Sequence, residues 1–374
     1  MLLPFFCQFG RQTIIHEILV KYWSNIEIKM RWKLKNVLPG KMVRRCNDSL
    51  LKFGLLGFLG LFIIYLQYKP APVTEEHIPD GLIEVRADEN GRHLMKEFAA
   101  KRRKRRLLLN DACQNSTENH ETLDIDQLDH IIVNDKYKAL FCYVPKVACS
   151  QWKRVFLMMS GNVSDPKTLD EYSVHTTYSH LLRYLNTYEP GEIKHKIKNY
   201  KKFIMVRNPL DRLVSAFKNK FHGTGFKDAR FKNIGKYIVR TYRKKFTEPV
   251  FGDDVTFLEF VRYVIDNKVG VRDEHWRSIT DLCKPCQIDY DFIGKQETIN
   301  EDADFIMSQM APHIEFPVKP AVYGSSNTTK STPFYLSQLP FGHVGRLWDI
   351  YRDDFVFFNY SFLKHVDKIS YLVR

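Results

Sequence analysis

The chain has 374 residues, which is enough for one large domain with appendages or for about two domains. Hydrophobic residues make up 44% of the chain and charged residues 27%, so a packed core can form, and a wholly disordered or collagen-like chain is excluded. The formal net charge of +14 indicates a surface that attracts polyanions, a class that includes nucleic acids, acidic membranes, nucleotides and acidic polysaccharides.

A membrane anchor is predicted near the N-terminus. Residues 51–68 read LKFGLLGFLGLFIIYLQY, and this stretch is about long enough to span a bilayer if Lys52 snorkels to the interface. Basic residues precede it and acidic residues follow it, so the positive-inside rule predicts a type II signal-anchor. A buried core helix is the alternative. A cleaved signal peptide is not favoured, because no small-residue cleavage site follows.

The anchor divides the chain into a cytosolic tail, a transmembrane segment, a luminal stem and a luminal domain, predicted at 1–50, 51–68, 69–110 and 111–374. The residues before Met42 do not resemble a compact domain, so Met42 is an alternative start. The predicted stem contains the run KRRKRR at 101–106. Such a run is usually a solvated surface. Behind a luminal anchor a nuclear localisation signal is not expected, and a proprotein-convertase cleavage site is the sharper alternative.

Sequons and cysteines both fit a luminal domain. N-glycosylation is predicted at four asparagines: Asn115, Asn162, Asn327 and Asn359. Five cysteines follow the anchor: Cys113, Cys142, Cys149, Cys283 and Cys286. No histidine pair or second C-x-x-C accompanies the last two, so structural disulfides are favoured over zinc. The odd count leaves at least one free thiol, and the sequence does not determine the pairing.

The segment 139–155 (ALFCYVPKVACSQWKRV) has the pattern of a strand, a tight turn and a helix. The apolar run before Pro145 suits a buried parallel strand, and the residues from Gln151 onward suit a helix. Such a junction forms a phosphate cradle, to which Lys146 adds a charge and Ser150 a hydroxyl donor. The alternative is an ordinary strand–helix junction with a surface lysine. The loop lacks the glycines of a Walker A motif, which disfavours ATP phosphotransfer.

The segment 200–221 (YKKFIMVRNPLDRLVSAFKNKF) repeats this pattern. Arg207 follows a buried-strand run, at the position where the carboxyl ends of parallel strands collect ligands. Pro209 suits the first position of a helix, on which Ser215 can face back toward the strand end. An arginine fork and a serine hydroxyl are suitable donors to a phosphate monoester. The alternatives are a surface ion pair for Arg207 and a space-filling role for Ser215.

These two segments resemble the sulfate-donor motifs of the Golgi carbohydrate sulfotransferases. The resemblance is strongest to the subgroup that contains the chondroitin and dermatan 4-O-sulfotransferases and the glucuronyl 3-O-sulfotransferase of the HNK-1 epitope. It extends from about residue 113 to residue 360. The matching stretches are 145–149, 152–154, 206–216, 274–276, 282–286, 293–298 and 354–360.

The resemblance implies an α/β, P-loop-like sulfotransferase fold with a central parallel sheet, preceded by a single type II transmembrane helix. It also implies the donor 3′-phosphoadenosine 5′-phosphosulfate. The 5′-phosphosulfate would be held by Lys146, Val147, Ala148, Cys149, Ser150 and Gln151, and the 3′-phosphate by Arg207 and Ser215. Two departures stand out. Ser150-Gln151 replaces the usual Thr-Asn but keeps a hydroxyl and an amide, and Asn208 replaces an acidic residue, which predicts an Arg207 that is freer to bind phosphate.

Sulfuryl transfer needs an in-line acceptor oxygen, a general base and stabilisation of the leaving group. Lys146 is the predicted catalytic residue that stabilises the leaving phosphate oxygen. His175 is the predicted base, because it lies between the two donor motifs and histidine titrates in the right range. The alternatives for the base are His180, His275 or a carboxylate, with His175 then making only a structural hydrogen bond.

The expected acceptor is an acidic glycosaminoglycan or a glycoprotein glycan, most of all O-4 of N-acetylgalactosamine in chondroitin or dermatan. Sulfation of glucuronic acid at O-3 or of N-glycan N-acetylgalactosamine at O-4 is an alternative. A cationic groove is predicted from Arg240, Arg243, Lys244 and Lys245, preceded by Lys218, Lys220, Lys227 and Arg230; a solvated helical face is the alternative. No metal is expected, since Asp253-Asp254 has no further ligands and suits a helix start.

Three rival functions follow from the same features. A P-loop kinase is disfavoured by the missing Walker motifs. A non-catalytic, glycan-binding pseudoenzyme would share almost all of the sequence pattern, although the intact donor motifs argue against it. A nucleic-acid binder is suggested by charge alone, and the anchor and sequons make nucleic acid an unexpected partner. The expected location is the Golgi membrane, with the catalytic domain in the lumen.

Overall fold

The computed structural model of the protein describes residues 89–365, except for 115, 117–122, 162, 164–168, 223–227, 268–271 and 318–327. The predicted cytosolic tail and membrane span therefore lie outside the described residues, as do Asn115, Asn162 and Asn327. Asn359 is described and is exposed to solvent. Within the described ranges, no helix combines the length and the apolar character that crossing a membrane requires.

The described chain contains both helices and strands. The helices are α1 (Glu89–Gln114), α2 (Cys149–Met159), α3 (Glu171–His175), α4 (Pro190–Asn199), α5 (Pro209–Phe221), α6 (Ala229–Tyr242), α7 (Phe257–Asp266), α8 (Ile279–Cys283), α9 (Pro285–Ile288), α10 (Ile299–Met310), α11 (Thr328–Ser337) and α12 (Phe341–Phe357). The strands are β1 (Ile131–Asn134), β2 (Ala139–Cys142), β3 (Arg183–Tyr184), β4 (Lys201–Val206) and β5 (Phe292–Lys295).

The described strands form one sheet in the order β3-β1-β2-β4-β5. β2, β4 and β5 are parallel, with Cys142 opposite Ile204 and Val206 opposite Lys295. Since these three strands run in the same direction, their carboxyl ends meet at one edge of the sheet. At that edge the chain leaves β2 toward α2, β4 toward α5 and β5 toward α10.

The sheet is mixed, so the predicted central parallel sheet is right for its centre and wrong for one side. β1 pairs antiparallel with both β2 and β3. β1 and β2 form a hairpin, whose turn is fixed by a hydrogen bond from the backbone N–H of Tyr137 to Oδ1 of Asn134, 3.0 Å long. A connection this short joins only antiparallel neighbours, because a parallel pair needs a crossover of about a dozen residues.

Two apolar clusters fix the helices that begin at this edge. Around the sheet, the rings of Phe141 and Phe203 stack at 4.7 Å, and Trp152 of α2 lies 4.6 Å from Phe203. The second cluster fills the space among α5, α6, α7 and α12, where the rings of Phe260 and Trp276 meet at 5.3 Å. Truncating one of these buried aromatic side chains to alanine costs about 3–5 kcal/mol.

The run KRRKRR lies inside α1, and this helix is bonded to the sheet domain. Arg102 is buried and the side chain of Arg105 is only 10% exposed, and both pair with the carboxylate of Asp302, at 3.2 and 2.8 Å. Arg105 also donates to the carbonyl of Ile293 in β5 at 2.9 Å. The part of the predicted stem from Glu89 onward is therefore helical, and its basic run is only partly solvated.

Two disulfides join distant parts of the described chain. Cys113 at the end of α1 is bonded to Cys286, and Cys142 at the end of β2 is bonded to Cys283. The two cysteines of the C-x-x-C therefore each take a remote partner rather than each other. Cys149 is a free thiol. The structure thus supplies the pairing that the sequence left open.

Candidate active site

The loop between β2 and α2 has the shape of an anion cradle. Lys146 and Ala148 both adopt the left-handed backbone region, with φ of 71° and 52°. Each such non-glycine residue costs about 1–2 kcal/mol, so the surrounding structure must hold the loop in this form. α2 begins at Cys149, and no described side chain caps its N-terminus. The first N–H groups of α2 are therefore available to an anion, as expected at a helix N-terminus.

The predicted cradle residues lie together in this turn but contribute differently. Val147 is fully buried in the core, so only its backbone can face a ligand. Ala148 precedes the helix, and Cys149 and Gln151 are partly exposed in its first turn. The side chain of Ser150 is nearly buried and points to a histidine, as described below.

Arg212 holds the cradle in place. Its guanidinium is 2% exposed and donates to the carbonyl of Pro145 at 3.0 Å. It also donates to the carbonyls of Glu274 and Arg277. One side chain of α5 therefore connects the loop between β2 and α2, called the donor loop below, to the segment that precedes α8.

Arg207 lies at the carboxyl end of β4, beside the cradle. It is 7% exposed and donates one hydrogen bond, 3.0 Å long, to the carbonyl of Lys146. Burial lowers the pKa of Arg207, while Asp211 and Glu297 act in the opposite direction. No described carboxylate forms an ion pair with it, so its other N–H groups are available to an anion.

Asn208 and Ser215 take distinct places on α5. Asn208 caps the helix: its Oδ1 accepts from the N–H groups of Leu210 and Asp211 at 3.0 and 3.3 Å. Ser215 lies on the buried face of α5 and is 6% exposed. Its hydroxyl makes no hydrogen bond with another described residue, which leaves it available to a ligand.

Lys146 belongs to a group of three lysines around the first turn of α2, together with Lys153 and Lys220. None of the three forms an ion pair with a described carboxylate. Burial lowers the pKa of Lys146 to about 8, assisted by the positive charges of Lys220 and Arg207. At neutral pH this lysine is mostly protonated and lacks a counterion within the described protein.

His175, at the end of α3, contacts the cradle directly. Its Nε2 lies 2.9 Å from Oγ of Ser150, and the same hydroxyl donates weakly to Oε1 of Glu171 at 3.5 Å. In that arrangement Nε2–H donates to Ser150, and Nδ1 carries the lone pair. The residue as a whole is exposed to solvent. Desolvation of its ring, together with the positive charge of Lys153, lowers the pKa of His175 to about 4, so the imidazole is neutral and able to accept a proton.

The two other histidines considered as bases differ in their surroundings. His180 follows α3 in a short 3₁₀ helix (Ser179–Leu181) and is exposed. The Nδ1 of His275 lies 2.6 Å from Asp273, a carboxylate that also pairs with Arg230. Of these three histidines, the structure brings His175 into hydrogen-bond contact with the donor loop.

Two polar side chains near this site, Glu274 and Lys153, were not predicted from the sequence. The carboxylate of Glu274 accepts from the hydroxyl of Tyr143 at 3.3 Å and lies 3.7 Å from Nε2 of His130. The ammonium group of Lys153 lies 4.0 Å from the centre of the Tyr143 ring. Both residues belong to stretches that carried the family resemblance, and that was the signal available in the sequence.

The described arginines of the predicted cationic groove are ion-paired, whereas its described lysines are not. Arg230 pairs with Asp273. Arg240 pairs with Glu248, and Arg243 pairs with Asp254 and Glu259. Lys220 is the member of the set that reaches the candidate site, and Lys227 lies outside the described residues.

The acidic pair 253–254 does not begin a helix. α7 starts at Phe257, where Thr256 and Glu259 form a capping box. Asp254 instead pairs with Arg243. Among the described residues, no group of three or more histidine, cysteine, aspartate or glutamate side chains is arranged to hold a metal ion.

Comparison with known proteins is consistent with this geometry. Residues 129–361 match the model of the sulfotransferase family. Carbohydrate sulfotransferase 11 of Rattus norvegicus is 36% identical over 274 residues, which cover 69% of this chain and 75% of the relative. Carbohydrate sulfotransferase 14 of Danio rerio is 40% identical over 237 residues, 62% of each chain. Carbohydrate sulfotransferase 12 of Mus musculus is 32% identical over 285 residues, 68% of this chain and 67% of the relative. No solved structure matches the chain.

Proposed function

Since the chain belongs to the sulfotransferase family and is an enzyme that transfers sulfate to carbohydrate, we propose that it uses 3′-phosphoadenosine 5′-phosphosulfate as donor and a glycan hydroxyl as acceptor. One observation carries the assignment of the site. An uncapped helix N-terminus and two cations without ion-pair partners, Lys146 and Arg207, converge at the carboxyl ends of β2 and β4.

We propose that the donor lies across these two strand ends. The residues from Lys146 to Gln151 hold the 5′-phosphosulfate through backbone N–H groups, the lysine charge and the Ser150 hydroxyl, whose hydrogen turns to the anion from its weak 3.5 Å bond to Glu171. Arg207 and Ser215 hold the 3′-phosphate. The fit is supported by the donor groups that these residues leave without partners: the first turn of α2, the spare N–H groups of Arg207 and the Ser215 hydroxyl.

In the proposed reaction, Nδ1 of neutral His175 takes the proton of the acceptor hydroxyl as the new O–S bond forms. The bond between sulfur and the bridging oxygen breaks, and its electron pair remains on the phosphate. Lys146 stabilises the charge that develops on that oxygen. Ser150 orients the imidazole through Nε2, which is the role that a third group plays toward a catalytic base.

We propose N-acetylgalactosamine O-4 in chondroitin or dermatan as the acceptor. The sequence resemblance of the donor loop to that subgroup supports this choice. The lysines without ion-pair partners around α2, Lys146, Lys153 and Lys220, are compatible with an acidic polysaccharide. We also propose that residues 51–68 anchor the protein in the Golgi membrane as a type II protein with the enzyme in the lumen, glycosylated at its four sequons.

The test uses the full chain, purified in detergent, with sulfur-labelled donor. The acceptors are desulfated chondroitin, dermatan, heparosan, and glycans ending in glucuronic acid or N-acetylgalactosamine. The expected result is transfer to chondroitin or dermatan, with the label at O-4 after disaccharide analysis. Transfer to another acceptor would overturn the acceptor and keep the reaction. A folded protein that binds adenosine 3′,5′-bisphosphate but transfers to no acceptor would overturn the proposed reaction and favour a glycan-binding pseudoenzyme.

A further inference from the structure

Lys153 is a buried cation whose counterion the described protein does not supply. It lies on α2 and is 5% exposed. Its ammonium group makes no ion pair or hydrogen bond with another described residue, and its one described interaction is with the face of the Tyr143 ring, 4.0 Å away. Burial lowers the pKa of Lys153.

The other deeply buried lysines of the described chain are paired. Lys196 bonds to Asp135 at 2.5 Å, and Lys202 lies 3.7 Å from Asp291. Burying an ammonium group without a partner is unfavourable, since its hydration is lost and nothing replaces it. A buried charge of this kind in a cleft is a candidate functional group.

Lys153 lies one helical turn beyond Ser150, the residue that His175 contacts. It lies three residues after Ser150, so both side chains are on the same face of α2. Cys149 and Glu274 influence its pKa, and Lys153 in turn is the strongest positive influence on His175. The charge of Lys153 therefore acts at the imidazole beside which, in the proposed reaction, the acceptor oxygen and the sulfur meet.

We propose that Lys153 is a further catalytic residue, whose ammonium group contacts the sulfuryl oxygens while the group passes from donor to acceptor. This inference rests on the proposed function. The transferring group carries negative charge on its oxygens, and a preorganised cation in a water-poor site stabilises such charge strongly. Lys153 exchanges no proton in the step: the acceptor proton goes to His175, and the electron pair of the broken S–O bond goes to the phosphate.

The test is Lys153→Met, which keeps the buried stem and removes the charge, measured in the full chain. We expect kcat to fall about 100-fold, as when one oxyanion donor is removed. The affinity for adenosine 3′,5′-bisphosphate should change less than about 3-fold, because that product has lost the sulfuryl group that Lys153 contacts. Lys153→Arg should recover part of kcat. The matched control is Lys202→Met, a buried lysine at the opposite end of β4, which should lower stability and leave kcat unchanged.

The pH profile gives a second readout. His175 is faced by Ser150 and Lys153 from α2, by Glu171 from its own helix and by Glu274 and His275 from the segment before α8. Removing the Lys153 charge should move the acidic limb of kcat to higher pH, a change that a purely structural lysine would not cause.

A folded Lys153→Met enzyme with an unchanged kcat would overturn this inference, whether or not its affinity for adenosine 3′,5′-bisphosphate has fallen. If the methionine variant does not fold, Lys153→Gln is measured instead against the same two criteria. If the wild type transfers sulfate and Lys153→Met has the same kcat, the inference about Lys153 is refuted and the proposed function stands. A wild-type chain that transfers no sulfate refutes the proposed function together with it.

Discussion

Two buried arginines, Arg207 just after β4 and Arg212 in α5, should respond in opposite ways to the same substitution. Both guanidinium groups are almost inaccessible to water, and the two residues are five positions apart in one motif. Arg212 uses its N–H groups on the protein itself, whereas Arg207 uses one of them and leaves the rest available. We therefore predict that Arg212→Met unfolds or destabilises the protein, and that Arg207→Met folds and loses donor affinity.

The expected loss of stability follows from the hydrogen bonds. Arg212 donates to the carbonyls of Pro145, Glu274 and Arg277, which are left unsatisfied when it is removed. At about 1–3 kcal/mol for each of the three carbonyls, Arg212→Met should lower the free energy of unfolding by roughly 3–9 kcal/mol. That is a large part of the total of about 5–15 kcal/mol that is typical of a domain. Arg207 makes one such bond, so its loss should cost about 1 kcal/mol.

The expected loss of binding follows from the free donors of Arg207. A charged pair of hydrogen bonds to a phosphate contributes about 2–3 kcal/mol, which corresponds to a roughly 30- to 150-fold weaker affinity when it is removed. The ligand for the measurement is adenosine 3′,5′-bisphosphate, with adenosine 5′-monophosphate as the control that lacks the 3′-phosphate. Arg207→Met should weaken the first and leave the second nearly unchanged.

Denaturant unfolding and titration calorimetry on the full chain measure the two quantities separately. If Arg207→Met binds the bisphosphate as tightly as the wild type does, Arg207 does not bind the 3′-phosphate. If Arg212→Met is as stable as the wild type, the structural role of Arg212 is refuted, because three carbonyls would then have lost their donor at no cost.

Three further predictions concern the base, the helix α1 and a disulfide. His175→Gln should lower kcat about 10²- to 10⁴-fold. On the acid side, the wild-type rate should hold until the pH approaches about 4, where His175 becomes protonated. A fall in rate centred near pH 6.5 in initial-rate assays would contradict this. A chain that begins at residue 107 should melt at a lower temperature in differential scanning fluorimetry than one that begins at 87, because it lacks the α1 arginines that bind Asp302; equal melting would contradict the docking of α1. Replacing Cys142 and Cys283 by alanine together should lower the unfolding free energy by roughly 4–5 kcal/mol, given the long loop that the disulfide closes, and a denaturant midpoint equal to that of the wild type would contradict it.

The strands that carry the donor motifs were predictable because their sequences are unambiguous. The apolar runs at 139–142 and 203–206 form β2 and most of β4, and the turn residues that follow them place Lys146 and Arg207 at the same sheet edge. A strand buried on both faces needs an almost continuous apolar run, and few other structures tolerate one. The strand-to-helix junction could therefore be predicted from local sequence alone.

The antiparallel side of the sheet and the docking of α1 were not predictable, because both depend on distant partners. Arg102 and Arg105 stand in a run that looks solvated, and they are largely buried because one carboxylate, Asp302, lies about 200 positions away in the chain. Local sequence carries no record of that pairing. The same holds for β3, a strand of two residues that is defined by its bonds to β1.

The candidate site shows the same division between local and distant information. Lys153 occupies a helical position where a charged residue usually faces solvent, and its burial depends on the Tyr143 ring that covers it. His175 was identified by its place between two motifs, but its contact with Ser150 depends on how α3 packs on α2. Residue types and spacing indicated the chemistry, while burial and pairing support the roles that we propose for individual residues.

Two links between loops, the Arg212 hydrogen bonds and the Cys142–Cys283 disulfide, involve residues of the matching stretches that are not proposed to contact a ligand. Arg212 bonds the donor loop at Pro145 to the segment that carries Glu274 and His275, and the Cys142–Cys283 disulfide joins the same two parts of the chain. Catalysis by fixed charges requires that donors be held where charge develops, so that no reorganisation is needed during the reaction. A loop with two left-handed, non-glycine residues would not keep this form alone. We therefore expect the buried arginine and the disulfide to keep the loop between β2 and α2 at a fixed distance from the segment that carries Glu274, although neither is proposed to contact the substrate.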